Sequence, residues 1–268
     1  MAGMPALPSP SRKPRFPYRR LLLELVLAEM KLRDQGTALG FLWTLLHPVL
    51  MFTVLYMLFI KWVGKFVDQY AVYLLVGIVL WSFFQRATSV AVVSFNRQRL
   101  LIMNYRFPRE IVVLSPVLAV FWSTLLEFAV LLPCLWLILG VAPRWAWCFL
   151  PVLLLVLLAL TAGFSLFLAV LGAEYQDMDR IWAVLSSAMF YLTPIFYPMS
   201  IIAEGRQKLL LLSPLTQLLI DARACLMQGQ APRLEVLAGL AVLAALSVVA
   251  GLGLVRSYQY RLVDRLMV

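Results

Sequence analysis

Few residues of this chain carry groups that could do chemistry, and their spacing excludes most reactions. The single histidine, His47, precedes Pro48 in an apolar run, with no carboxylate or nucleophile spaced to make an acid–base pair with it. A neutral imidazole packed between helices is the expectation there. Three cysteines, Cys134, Cys148 and Cys225, lie far apart without CxxC or Cys/His spacing. They read as free thiols in packed surroundings, and neither a zinc site nor a redox pair is expected. The sequence has no Gly-x-x-x-x-Gly-Lys-Ser/Thr loop, so the chain cannot by itself cradle a nucleotide in the P-loop manner, and it has no HExxH or GxSxG. No catalytic residue, metal or cofactor is expected in it.

Glu127 is more informative, because it stands alone near the middle of the apolar stretch 111–140, where a charge costs roughly 2.5–3.5 kcal/mol on insertion scales. Two readings fit it: a wall of a water-filled path, or a protonated or paired carboxylate that fixes helix packing, with His47 or Arg86 as partner. Aromatic residues such as Trp43, Tyr56, Trp81, Tyr191 and Tyr197 could stack on sugar rings and equally suit lipid-facing or interfacial positions. Together with Glu127 they form the candidate translocation path. A second candidate is the segment 96–110, NRQRLLIMNYRFPRE, in which Arg97, Arg99, Arg106 and Arg109 surround the apolar Leu100, Leu101, Ile102 and Met103. Retention of positive charge on one side of a membrane explains the arginines but not the apolar cluster. A short helix ended before Pro108, with one apolar and one cationic face, is what docking into a partner's groove requires.

These residues must be positioned by helices that cross a bilayer. A chain of 268 residues that is 63% hydrophobic and 13% charged, with a mean hydropathy of +0.90, has too few polar residues to clothe a water-soluble globule. An all-α polytopic membrane protein is predicted, with one transmembrane domain over residues 18–268. Measured against the ~20 residues a crossing needs, the apolar runs predict six transmembrane helices at about 38–60, 70–95, 111–140, 146–172, 181–197 and 234–255. Pro116 and Pro133 predict kinks or half-helices in the third. Between the fifth and sixth, LLLLSPLTQLLI is apolar but too short to cross. It reads as short re-entrant helices, one ending near Leu212 and the next starting at Pro214 with Ser213 as its cap. The closing SYQYRLVDRLMV reads as a tail beyond the last span.

Ahead of the first span, residues 1–17 carry five prolines and no apolar periodicity, which predicts a disordered basic tail. Residues 18–34 differ. Leu21, Leu25, Ala28 and Leu32 recur at helical spacing while Arg20, Glu24 and Lys31 fall opposite, so an amphipathic helix at the membrane interface is predicted. The net charge of +10 would suit nucleic acid, but the basic residues flank apolar spans, as anionic headgroups and topology use them. No nucleic-acid partner is expected. In the six-span layout sixteen of the 23 Lys and Arg fall on the side of the N-terminus, so the positive-inside rule places both termini in the cytoplasm.

Four blocks in order carry a resemblance: KLRDQGTALGFLWTLLHP, YLLVGIVLWSFF, NRQRLLIMNYRFPRE, and YLTPIFYPMS followed by LSPLTQLLIDAR. Over roughly residues 19–223 the chain resembles the ABC-2 family of exporter membrane subunits, most closely the polysaccharide-export permeases of O-antigen, capsule and teichoic-acid systems. The resemblance implies an interface helix carrying Arg20, Glu24, Lys31 and Arg33, and a coupling helix of Arg97, Arg99, Leu100, Leu101, Ile102 and Met103. It also implies a second copy of the chain around a channel and a separate P-loop ATPase subunit holding ATP and Mg. The substrate would be a lipid-linked polysaccharide, and the location the bacterial cytoplasmic membrane. The chain departs from the family at EYQDMDR, where a more basic pattern is usual, and at Ser213-Pro214, where Asn-Pro is usual. Within the family, export of a drug or lipid is the alternative. Outside it, a secondary transporter would need discontinuous helices and coupling-ion carboxylates near the midplane, which Glu127 alone does not supply.

Overall fold

A computed structural model describes residues 18–34, 42–105 and 107–267, and the regular elements within them are all helical. In order these are α1 (Tyr18–Asp34), α2 (Leu42–Val63), α3 (Tyr70–Val92), α4 (Ser94–Arg97), α5 (Arg99–Asn104), α6 (Glu110–Leu137), α7 (Leu150–Glu174), α8 (Met178–Leu192), α9 (Glu204–Leu211), α10 (Pro214–Arg223) and α11 (Leu234–Met267). The expected tail at 1–17, the start of the first span and Arg106 lie outside the described residues, as does the side chain of Arg33.

Five stretches are long and apolar enough to cross a membrane: Leu45–Val63, Tyr70–Val92, Glu110–Leu137, Trp145–Glu174 and Leu234–Tyr258. The protein is an all-α, multi-pass membrane protein. The expected fifth span, 181–197, is not among them. Its helix, α8, has 15 residues and reaches about 22 Å, short of the roughly 30 Å of a hydrocarbon core. The physical reason is Pro194, which pushes the preceding Thr193 out of the helical region, to φ −80° and ψ 138°. Next, α9 and α10 meet at 98° across Leu212 and Ser213, the bent pair expected of short re-entrant helices. Ser213 occupies the cap position in extended conformation, but its hydroxyl makes no capping bond. Pro116 and Pro133 both sit inside one continuous α6 rather than between half-helices. The expected tail after residue 255 continues as part of the 34-residue α11.

The helix α3 is the hub. In its most apolar window 72% of the residues are buried, against 17% for α2, and it packs on α2, α6, α7, α8 and α10. The other close pair is α7 with α11. A Cβ on Gly163 would collide with Ser247, and one on Gly251 would lie 2.9 Å from the Gly163 carbonyl oxygen. Small residues four apart on α11, Ser247 and Gly251, thus let two backbones approach where lipid offers no hydrophobic driving force.

Candidate functional site

The helix α1 lies along α6 and buries only the first half of the face its spacing marks. Leu21, Leu22, Leu25 and Val26 are partly buried, while Leu32 is 67% exposed and Ala28 is exposed. Arg20, Glu24 and Lys31 face outward. Burial pushes the Tyr18 phenol above its ordinary range, and the charge of Glu110 adds to that. Glu29 of α1 accepts a hydrogen bond from Gln98, between α4 and α5, at 2.9 Å. At the same end Arg256 donates to Glu110 at 3.0 Å, Asn96 donates to the Gly172 carbonyl at 3.2 Å and Tyr258 donates to Glu174. These bonds clamp α1 and the 93–104 turn onto α6, α7 and α11.

Within α5 the six residues singled out by sequence divide. Leu100 is 76% and Met103 44% exposed, with Arg97 and Arg99 exposed beside them, whereas Ile102 is 1% exposed and Leu101 is half-buried. One turn of helix cannot point four consecutive side chains the same way, and Ile102 anchors α5 to its own core.

Glu127 is buried, and Arg86 of α3 is its partner, at 2.5 Å from Nη2 to Oε1. Arg86 also donates to the Ser82 carbonyl at 3.1 Å. His47 is exposed on α2 rather than packed between helices and takes no part in the pair. The pair joins α3 to α6 and balances the charge of the acid.

The aromatic residues of the expected path separate as well. Trp81 is buried against Phe84 and Phe190, inside the chain, and Trp43 is exposed near the start of α2. Tyr56 stacks between Phe52 and Tyr70, at 5.3 and 6.1 Å between ring centroids, and Tyr70 stacks on Tyr73 at 6.4 Å. Tyr191 and Tyr197 both meet Phe196 edge-on, at 6.1 and 4.9 Å. The two groups are joined by hydrogen bonds, since the Tyr70 hydroxyl donates to the Phe196 carbonyl and the Tyr73 hydroxyl to the Tyr197 carbonyl, each at 2.9 Å.

What closes this cluster is Arg223, a residue that sequence reasoning counted only as a charge outside the spans. It is buried, and donates to the carbonyls of Pro194, Ile195 and Tyr73 at 2.8, 2.8 and 3.2 Å. Once Pro194 ends α8, the carbonyls that follow have no helical partner, and such groups are costly away from water. One guanidinium fork serves two of them, those of Pro194 and Ile195, and reaches the Tyr73 carbonyl of α3 as well. Gly77 makes the approach possible, because a Cβ there would lie 2.5 Å from Nη2. The available signal was an arginine one turn after an apolar run, paired in the sequence with a proline that breaks α8. The Tyr197 phenol caps the end of α8, donating to the Leu192 carbonyl at 2.8 Å, and burial raises its pKa. Among the described residues there is no group of three or more His, Cys, Asp or Glu placed to hold a metal.

The described residues define an all-α, multi-pass membrane protein in which α1 is tied to the 93–104 turn through Glu29 and Gln98 and α9 and α10 form a bent pair. Residues 20–227 match the ABC-2 type transporter family, and the chain belongs to it. It is 31% identical over 232 residues to an O-antigen export system permease protein of Myxococcus xanthus, covering 84% of this chain and 87% of the relative. Two O-antigen export system permease proteins of Klebsiella pneumoniae are 26% and 25% identical over 210 residues, 78% of this chain and 81% of each relative.

Proposed function

We propose that the chain is the permease subunit of an ATP-driven exporter that moves a lipid-linked polysaccharide, of O-antigen or capsule type, across the bacterial cytoplasmic membrane. The observation that carries this reading is the likeness, over most of both chains, to three permeases of O-antigen export. With no phosphate loop of its own, the chain takes its energy from a separate P-loop ATPase, which holds ATP and Mg. The exposed Leu100 and Met103, rimmed by Arg97 and Arg99, supply the docking surface, and α1 braces it through Glu29 and Gln98. Both termini then lie in the cytoplasm, as the charge distribution asks. A second copy completes the channel, and the sparsely buried α2 is the span with most apolar surface left to cover.

Deletion of the chain tests this. Lipid-linked glycan should accumulate inside the cell and reach the surface again on re-expression. Surface glycan at wild-type level in the deletion strain would refute it.

A further inference from the structure

At the end of the bundle opposite α5, a cavity of about 730 Å³ opens between the α2–α3 link, α3, α10 and the turn before α11. The size falls within the roughly 300–1,000 Å³ of small-molecule sites. Phe66, Asp68, Gln69, Tyr73, Asp221 and Arg233 line it, with the amides of Gln228 and Gln230 at its wall.

Three features of this wall point to a ligand. The Asp221 side chain is 2% exposed; Oδ1 accepts from Arg233 Nε at 3.0 Å and the Arg233 backbone N–H also interacts with the carboxylate, while Oδ2 makes no hydrogen bond of ordinary geometry. A buried acceptor left empty is costly, and a donor brought by a ligand removes that cost. Gln69 holds a left-handed backbone, φ 55° and ψ 47°, and is the one non-glycine residue with positive φ among the described residues. Such conformations concentrate at binding sites. Phe66, 64% exposed, offers an open aromatic face at the rim.

The charges decide the class of ligand. Arg223 is committed to three carbonyls, and Arg233 to Asp221 and to Gln217, at 2.7 Å. Two arginines and two aspartates, Asp68 and Asp221, line the cavity, so it holds no excess of positive charge to draw a phosphate or carboxylate. Arg233 on Asp221 equally disfavours a metal ion. What remains is two carboxylates, Asp68 and Asp221, side-chain amides that both donate and accept, and aromatic faces. That set fits a neutral hydroxylated ring: hydroxyls bond Asp221 and the glutamines, and the apolar face of the ring lies on an aromatic one.

We propose that this cavity is a saccharide subsite that takes one neutral pyranose unit. The inference rests on the reading that the chain exports a glycan. A moving chain must bind weakly enough to leave, so affinity in the millimolar range is expected.

The test titrates the purified full-length chain with glucose, galactose, mannose, rhamnose and N-acetylglucosamine, and separately with inorganic phosphate and Ca²⁺, read by saturation-transfer NMR. At least one pyranose should saturate. Asp221→Asn and Phe66→Ala should each weaken it by roughly tenfold or more, the scale of a lost charge-assisted bond. Phe66 is exposed, so its variant keeps the fold even where Asp221→Asn does not. The subsite is overturned if no pyranose saturates, if both folded variants bind as wild type, or if only phosphate or Ca²⁺ binds. Surface glycan is measured in parallel. Export without pyranose binding removes the subsite and leaves the export reading standing, whereas pyranose binding without export does the reverse.

Discussion

Arg223 and Tyr73 hold each other from two sides: the guanidinium carbon lies 3.4 Å from the centre of the Tyr73 ring, and Nε donates to the carbonyl of Tyr73 itself. The same side chain carries the carbonyls of Pro194 and Ile195, so one residue of α10 ties the end of α8 to α3. Arg223→Lys keeps the charge but not the fork. It should destabilise the protein by about 1–3 kcal/mol for each carbonyl left without a donor, seen as a lower unfolding temperature in detergent and faster proteolysis within residues 193–203. An unchanged melt for the lysine variant would remove Arg223 as the latch of this turn.

The Arg86–Glu127 pair makes a second prediction. Glu127→Leu alone strands the Arg86 charge and should cost about 3–5 kcal/mol, whereas Arg86→Met with Glu127→Leu should recover most of that. Yield of folded protein by size-exclusion chromatography reads the cycle. Glycan export by the double variant then separates the two roles: a folded protein that exports normally has a pair that serves packing alone.

At α5 the exposed and buried residues should behave oppositely. Replacing Leu100 and Met103 with serine should release the ATPase in co-purification while the permease stays folded. Ile102→Ser should instead lower stability, because it puts a hydroxyl into the core. Arg97→Ala should change little, since an exposed pair is worth roughly 0–1 kcal/mol. Retention of ATPase and export by the double-serine variant would leave the segment a topological anchor.

The α7–α11 crossing depends on the absence of a side chain at Gly163. Gly163→Val should force the helices apart and cost about 1–3 kcal/mol or more. Gly205→Ala is the control, because a Cβ there meets nothing within 4 Å. Equal melting temperatures for the two variants would contradict the close crossing.

Topology is checked by labelling from outside. Cys148 is exposed, so Cys148→Ser is the background in which cysteines are introduced. Gly205→Cys should react in sealed cells and Arg99→Cys should not. Labelling of the latter would invert the orientation proposed for the bundle.

The class of the protein, a helix over 18–34, the bend at Ser213 and most of the spans were legible in the sequence. They depend on local quantities: the length of an apolar run against the bilayer, and a proline that ends a helix. Thr193-Pro194 carried the same signal, by the rule that stops a helix before Pro108, but the expected span 181–197 ran through it. The faces of the helices were not legible. In a membrane an apolar side chain is as well placed against lipid as against protein, so spacing marks Leu32 of α1 and Leu100 of α5 as apolar without telling which side meets the chain. Only the packed structure turns Leu32 outward and Ile102 inward. It also decides polar partners: Glu127 signalled a partner by its position, and the tertiary contact between α3 and α6 selects Arg86 over His47. Arg223 is the strongest case. By itself it is one more basic residue, and it becomes the centre of a buried network because two carbonyls freed where α8 breaks, those of Pro194 and Ile195, come with the Tyr73 carbonyl of α3 within reach of one guanidinium beside Gly77.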